Sequence, residues 1–178
     1  IAVLVRSNER GQEVATALAA SGVPATFNGS NSVLATAAAQ DWLTLLRALD
    51  QPRRPYLRRA YLTDFVGATV TDLALADEER LGEWSLLVHT WARVLERHGV
   101  PALFASFDAD TNFRARLLTR PDGERLVTDH RHLAELLHRQ VVGTRAGRAR
   151  DLAAWLVAER EGSSLGGGDS TRRRDTDA

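Results

Sequence analysis

The chain opens on five consecutive apolar residues, Ile1-Ala2-Val3-Leu4-Val5, three of them β-branched. Such a run predicts a strand covered on both faces, the pattern of a parallel sheet with helices above and below it. Helical spacing follows over residues 9–20, where Val14, Ala17 and Leu18 share a face; Ser7 or Asn8 can cap its start and Gly22 is placed to stop it. Val23-Pro24-Ala25-Thr26-Phe27 predicts a second strand, its proline pointing to a sheet edge. The opening therefore reads as a β-α-β unit with a right-handed connection.

After the polar turn Asn28-Gly29-Ser30-Asn31-Ser32 the period changes to that of a helix and stays there. Trp42, Leu45, Leu46 and Leu49 form one face, closed by Pro52. Short helices are predicted over 56–62 and, capped by Thr69 or Thr71, over 72–76. The longest apolar stripe is Leu81, Trp84, Val88, Trp91 and Leu95, predicting a helix over 78–98 that ends at Gly99. Pieces at 102–107 and 111–118 lead to the turn Pro121-Asp122-Gly123. A helix over 125–142 then turns Leu126, Leu133, Leu136 and Leu137 inward, and a last one over 148–161 buries Leu152, Trp155 and Leu156. Residues 162–178 carry only Leu165 and Ala178 as apolar side chains, too few to repay ordering, so a flexible polar tail is expected. The organisation that results is a β-α-β piece over 1–28, a helical domain over 29–161 and the tail over 162–178, mainly α as a whole.

Composition narrows the chemistry. With 178 residues, 44% of them hydrophobic, the chain can build a real core. Its 23 cationic and 23 acidic side chains cancel, so a polyanion is met by a local patch rather than a whole-molecule field. There is no cysteine, which excludes disulfides, thiolate nucleophiles and cysteine zinc sites. Every cation is arginine, so neither a Schiff-base lysine nor a phosphate-loop lysine exists, and the chain is not a self-sufficient P-loop ATPase. Gly166-Gly167-Gly168-Asp169-Ser170-Thr171 fails as a phosphate loop for the same reason. No stretch suits a membrane span or a secretion signal, and a cytoplasmic protein without membrane contact is expected. The absence of Met and a first residue inside a strand pattern suggest an excised piece of a longer polypeptide.

Two groups of side chains carry candidate chemistry. Arg6 leaves the end of the first strand, the edge of an α/β sheet where ligands bind. Arg53, Arg54, Arg58 and Arg59, with Tyr56 among them, form the densest basic cluster outside the tail: either a patch that touches DNA phosphates or a solvated helix face. His130, His132 and His138 with Asp129 and Glu135 do not make a metal site. His-x-His on a helix sets the rings about 200° apart, and two ligands on one face do not close a shell.

Several segments are similar to those of the UvrD/RecB-like superfamily 1 DNA helicases, in particular the exodeoxyribonuclease V type. They are Ile1-Ala2-Val3-Leu4-Val5-Arg6-Ser7, Ala39-Gln40-Asp41-Trp42-Leu43-Thr44-Leu45-Leu46-Arg47, Leu62-Thr63-Asp64-Phe65-Val66-Gly67 and the run from Gly123 through Thr128-Asp129-His130-Arg131-His132 to Leu137. The resemblance covers residues 1–161. It implies that the opening strand is helicase motif IV in subdomain 2A, an incomplete RecA-like lobe, and that the helices are most of subdomain 2B. By the same resemblance Arg6 reaches the γ-phosphate of ATP bound between two motor lobes. Val5 stands where many relatives stack an aromatic ring on adenine, and Ala38 where they carry an acid. ATP and Mg2+, duplex and single-stranded DNA, and RecC- and RecD-like subunits are implied for the intact enzyme, a helicase and nuclease of double-strand-break repair. The fragment alone, lacking the Walker motifs and the nuclease domain, is expected to be inactive and to hold no cofactor. The competing reading is a helical protein-interaction module that binds neither nucleotide nor DNA.

Overall fold

Described in the computed structural model are residues 3–6, 8–23, 32–141 and 148–162. Helix α1 runs Asn8–Ala20, a 3-10 turn Val33–Ala35, α2 Ala37–Asp50, α3 Arg54–Tyr61, α4 Val70–Leu75, α5 Glu78–Thr111, α6 Phe113–Leu118, α7 Gly123–Val141 and α8 Ala149–Gly162. Local chemistry accounts for most of these boundaries. Thr36 caps α2 by accepting the Ala39 N–H, Asp77 caps α5 through the Arg80 N–H, and Thr69 and Asp72 form a reciprocal capping box on α4. Pro55 sits in the first turn of α3, where its missing N–H has no intrahelical acceptor to lose.

Helix α2 is the axle of the helical domain. Its Ala38, Ala39, Trp42, Leu43, Leu45, Leu46, Ala48 and Leu49 are buried, far more than one stripe, and it packs against α3, α5, α7 and α8. What remains on its outer side is polar: Gln40, Asp41, Thr44 and Arg47. Around it an aromatic cluster fills the centre. Phe65 lies 4.9 Å from Trp42 and 4.4 Å from Phe107 between ring centroids, and Trp91 meets Phe107 edge-on at 4.8 Å. Full burial of one such side chain contributes about 1.5–3 kcal/mol.

Helix α5 does not end at Gly99 as the glycine suggests. It bends there, Gly99 taking φ +77°, and helix resumes through Pro101 to Thr111. The two arms are tied across the elbow: Trp91 Nε1 donates to Asp110 Oδ2 at 2.8 Å. The pieces expected at 102–107 and 111–118 are thus the second arm of α5 and the separate helix α6.

The β-α-β expectation is corrected at its beginning. Among the described residues no strand forms, and Val3, Leu4 and Val5 are exposed rather than sandwiched, Leu4 at 98%. A strand needs a neighbour to take its backbone hydrogen bonds, and the described residues supply none. Ile1, Ala2 and residues 24–27 of the expected strands lie outside the described residues, as does the tail over 163–178. Helix α1 does form, one residue longer than expected at its start. Trp155, expected as fully inward, is half-buried. Among the described residues no helix is long and apolar enough to cross a membrane.

Candidate nucleic-acid interface

The basic cluster falls on α3 and its N-cap. Its apolar side, Leu57, Ala60 and Tyr61, is buried against α2 and α5, so Arg54, Arg58 and Arg59 emerge on the outer surface, with Arg53 at the cap. All four are exposed. Helix α2 adds a fifth exposed guanidinium from its last turn, Arg47. None of the five is ion-paired with a carboxylate among the described residues. Elsewhere pairing is common: Arg10 with Glu13, Arg80 with Glu83, Arg114 with Asp108, Arg120 with Asp64, Arg125 with Asp129 and Arg131 with Glu135. In a chain of zero net charge, this face holds cationic field that internal carboxylates do not quench.

Between α2 and α3 this face is cut by a groove of about 360 Å³. Arg47 and Arg59 line it together with Tyr56, Gln40, Thr44 and Thr63. Gln40, Thr44 and Arg47 recur at steps of four and three, one stripe of α2. Arg160 of α8 donates to Gln40 Oε1 at 2.7 Å, fixing that amide. Asp41 also borders the groove, but its Oδ2 is turned to the Asp64 N–H at 2.7 Å.

Behind the groove lies a charged hub, built where the turn after α3 meets α6 and α7. Asp64 Oδ1 accepts from Arg120 at 2.9 Å, and its Oδ2 accepts from His130 Nε2 at 3.3 Å. His130 is wholly buried, with Phe65 and Phe113 edge-on to its ring at 5.0 and 5.2 Å, and its backbone oxygen accepts from Trp42 Nε1. With Nε2–H donating, Nδ1 is left without a hydrogen-bond partner among those aromatic faces. Arg116 gathers three carbonyl oxygens: Thr111 through Nε at 2.8 Å, and Asp64 and Phe65 through one Nη at 2.8 and 3.1 Å. Gly67, at φ +77°, leaves room for that guanidinium, with which a Cβ would collide.

Asp41 and Asp64 titrate in opposite directions. Burial raises the Asp41 carboxyl above its ordinary value, outweighing the Asp64 N–H bond, and the Asp64 charge pushes the same way. Burial would also raise Asp64, but the hydrogen bond and charge of His130, with Arg120, outweigh it and leave it lowered. Carboxylate oxygens of Asp41 and Asp64 and a ring nitrogen of His130 lie within 4.8 Å of one another, a spacing a metal ion can bridge. The oxygens of Asp64 are already engaged by Arg120 and by His130 Nε2, Asp41 Oδ2 accepts a backbone N–H, and within this set the unpartnered nitrogen is His130 Nδ1. The donor set thus explains itself as an internal hydrogen-bonded network tied to Arg120.

The histidine group considered from sequence is therefore separated. Asp129 is buried against Arg125 at 2.9 Å, His130 joins Asp64, His132 is buried and His138 is exposed. Arg6 is exposed and, like Val5 beside it, belongs to the short opening segment rather than to the helical face. Sequence reasoning did not assign Arg47, Asp41 or Asp64. The available signal was polarity inside otherwise apolar helix, the Gln-Asp and Thr residues of α2, and an aspartate directly before the buried Phe65.

No family model matches the chain. Individual proteins do. The class they define is that of the RecB-type subunits: the chain is 36% identical over 183 aligned residues to the RecBCD enzyme subunit RecB of Mycolicibacterium smegmatis, an alignment that takes in 100% of this chain and 16% of that protein. The corresponding subunit of Mycobacterium tuberculosis is 35% identical over 179 residues, again 100% of this chain and 16% of the relative. That of Escherichia coli is 30% identical over 161 residues, 88% of this chain and 13% of the relative. The resemblance drawn from sequence thus holds over the whole chain: it is similar to a segment of RecB, and spans about a sixth of the length of the mycobacterial subunits.

Proposed function

We propose that the chain is the DNA-contacting segment of a RecB-like ATP-dependent helicase and exonuclease subunit that processes double-strand ends for recombinational repair in the cytoplasm. The observation that carries this is the α3 face, exposed and free of carboxylate partners among the described residues, in a chain similar to RecB throughout. Guanidinium forks of Arg53, Arg54, Arg58 and Arg59 bind phosphate oxygens through paired N–H groups and release counterions, an attraction independent of base sequence. In this reading the helices correspond to subdomain 2B and the opening segment to motif IV of subdomain 2A. The intact subunit binds ATP and Mg2+ and assembles with RecC- and RecD-like partners. Arg6 then reaches the γ-phosphate, where a fixed positive charge stabilises the transferred phosphoryl oxygens, and Val5 gives the base apolar contact in place of stacking.

The test has two parts. The purified chain should bind DNA at low salt, and Arg53→Ala with Arg54→Ala should weaken binding and flatten its salt dependence; a chain with no DNA affinity at low salt overturns the reading. In the full RecB-like subunit, Arg6→Ala should slow ATP hydrolysis by about 10³-fold or more, whereas an unchanged rate removes the nucleotide role. A second reading, a protein-interaction module, has one observation in its favour: an open groove of about 810 Å³ in which Pro101, Phe104, Leu118, Val127 and Ala134 are joined by charged residues such as Arg114, Glu124 and Arg131. Charge substitution at Leu118, half exposed, should abolish assembly with a partner subunit and leave DNA affinity intact if that face is the interface.

A further inference from the structure

We infer that α4 and the first turns of α5 form a docking surface for a basic, leucine-bearing segment of a partner protein. The inference stands apart from the DNA-contact reading, and its residues belong neither to the α3 face nor to the groove lined by Phe104 and Val127.

Helix α4 has six residues, too few to hold together in water by backbone bonds alone. The reciprocal bonds of Thr69 and Asp72 fasten its start, and Leu73 and Ala76 rest half-buried against the core. None of its residues is fully buried. Its other two large apolar side chains are turned to solvent, Val70 at 73% exposure and Leu75 at 80%. On α5, Glu79, Glu83 and Leu86 recur at steps of four and three, an exposed stripe that ends on an open leucine. Between the two helices lies an open groove of about 440 Å³, lined by Gly67, Asp72, Leu75, Asp77, Arg80 and Trp84.

Charge names the occupant. Residues 69–86 carry five carboxylates, Asp72, Asp77, Glu78, Glu79 and Glu83, against one arginine. That arginine, Arg80, is already committed: it pairs with Glu83 at 2.7 Å and lies over the Trp84 ring at 5.2 Å. Glu78 and Glu79 are exposed, and no cation holds them among the described residues. Carboxylates in the first turn of a helix suit its dipole, which accounts for these two but not for the open Val70 and Leu75 beside them. Nucleic acid is repelled by such a surface. A protein segment that sets leucine-sized side chains into the groove and arginine or lysine over its rim satisfies both the apolar and the acidic half.

The experiment is fluorescence anisotropy on the whole chain with a labelled amphipathic peptide of leucine and arginine, and with a peptide of the same composition scrambled to have no apolar face. A labelled DNA duplex is run in parallel. The parent should bind the amphipathic peptide and discriminate against the scrambled one. Leu75→Ser should weaken that binding about tenfold with its salt dependence kept. Glu78→Gln combined with Glu79→Gln should weaken it and flatten the salt dependence. Glu13→Gln, at a carboxylate paired with Arg10 on α1, is the control. Circular dichroism verifies that each variant is folded. A parent that binds neither peptide, or both alike, overturns the inference, as does a Leu75→Ser variant that matches the control. Sedimentation velocity without peptide addresses the other occupant: self-association that Leu75→Ser and Arg58→Glu both dissolve gives the surface to the basic α3 face of a second copy, which also overturns it. Duplex affinity should be equal in Leu75→Ser and the parent, so failure of the DNA reading shows with the duplex alone and failure of the docking surface with the peptides alone.

Discussion

Asp41 and Asp64 are neighbours of one charge type with opposite consequences. The Asp64 carboxyl is lowered in the folded chain, so it adds stability above its unfolded value of about 3.9, and that contribution is lost as pH falls through the folded value. Asp41 is raised, so the native state binds the extra proton and this residue weakens the fold as pH climbs from about 3.9 through its raised value. Replacement by asparagine separates them. Asp64→Asn should destabilise at pH 7 by about 1–3 kcal/mol, the lower part of that range because Arg120 is 45% exposed and water screens the pair. Asp41→Asn keeps an acceptor for the Asp64 N–H and removes a buried charge, so it should be neutral or stabilising at pH 7. Urea midpoints across acid and neutral pH read both. A matching loss in the two variants would show that the hub acts through packing alone. Gly67→Ala should lower stability by about 1–3 kcal/mol, because it meets both the positive φ and the Arg116 guanidinium.

At the scale of elements, the sequence revealed most where periodicity is long. The stripe from Leu81 to Leu95, the cap Thr69 and the inward leucines of α7 all appear as their spacing predicts. It misled where the signal depended on neighbours. The opening apolar run has a strand's composition, yet strand is a property of paired backbones, and exposed Val3 and Leu4 have no partner among the described residues. Gly99 stops a helix in most contexts; here Trp91 and Asp110, nineteen positions apart, hold the next arm in place so that the chain bends instead of ending. Removing that tie with Trp91→Phe should cost about 1–2 kcal/mol, seen as a lower urea midpoint with the helical signal kept. The basic cluster on α3 was visible from spacing, but the groove was not: Arg47 joins Arg59 only through the packing of α2 on α3.

For the whole molecule, charge balance hides a polarised surface. Equal numbers of acidic and basic side chains give zero net charge, while among the described residues Arg47, Arg53, Arg54, Arg58 and Arg59 stand together on one side without a carboxylate partner. The segments through Asp41, Asp64 and His130, distant in sequence, converge on one hub.

The same hub bears on how the chain acquires its shape. Its linkages join residues 66 and 88 positions apart, His130 to Asp64 and Trp42 to the His130 carbonyl, and loops of that span close only after most local helix has formed. They are expected to form in the last step of assembly and to break in the first of disassembly. Asp64→Asn should accordingly speed unfolding in stopped-flow dilution while refolding keeps its rate, making the hub a latch on the lifetime of the native state.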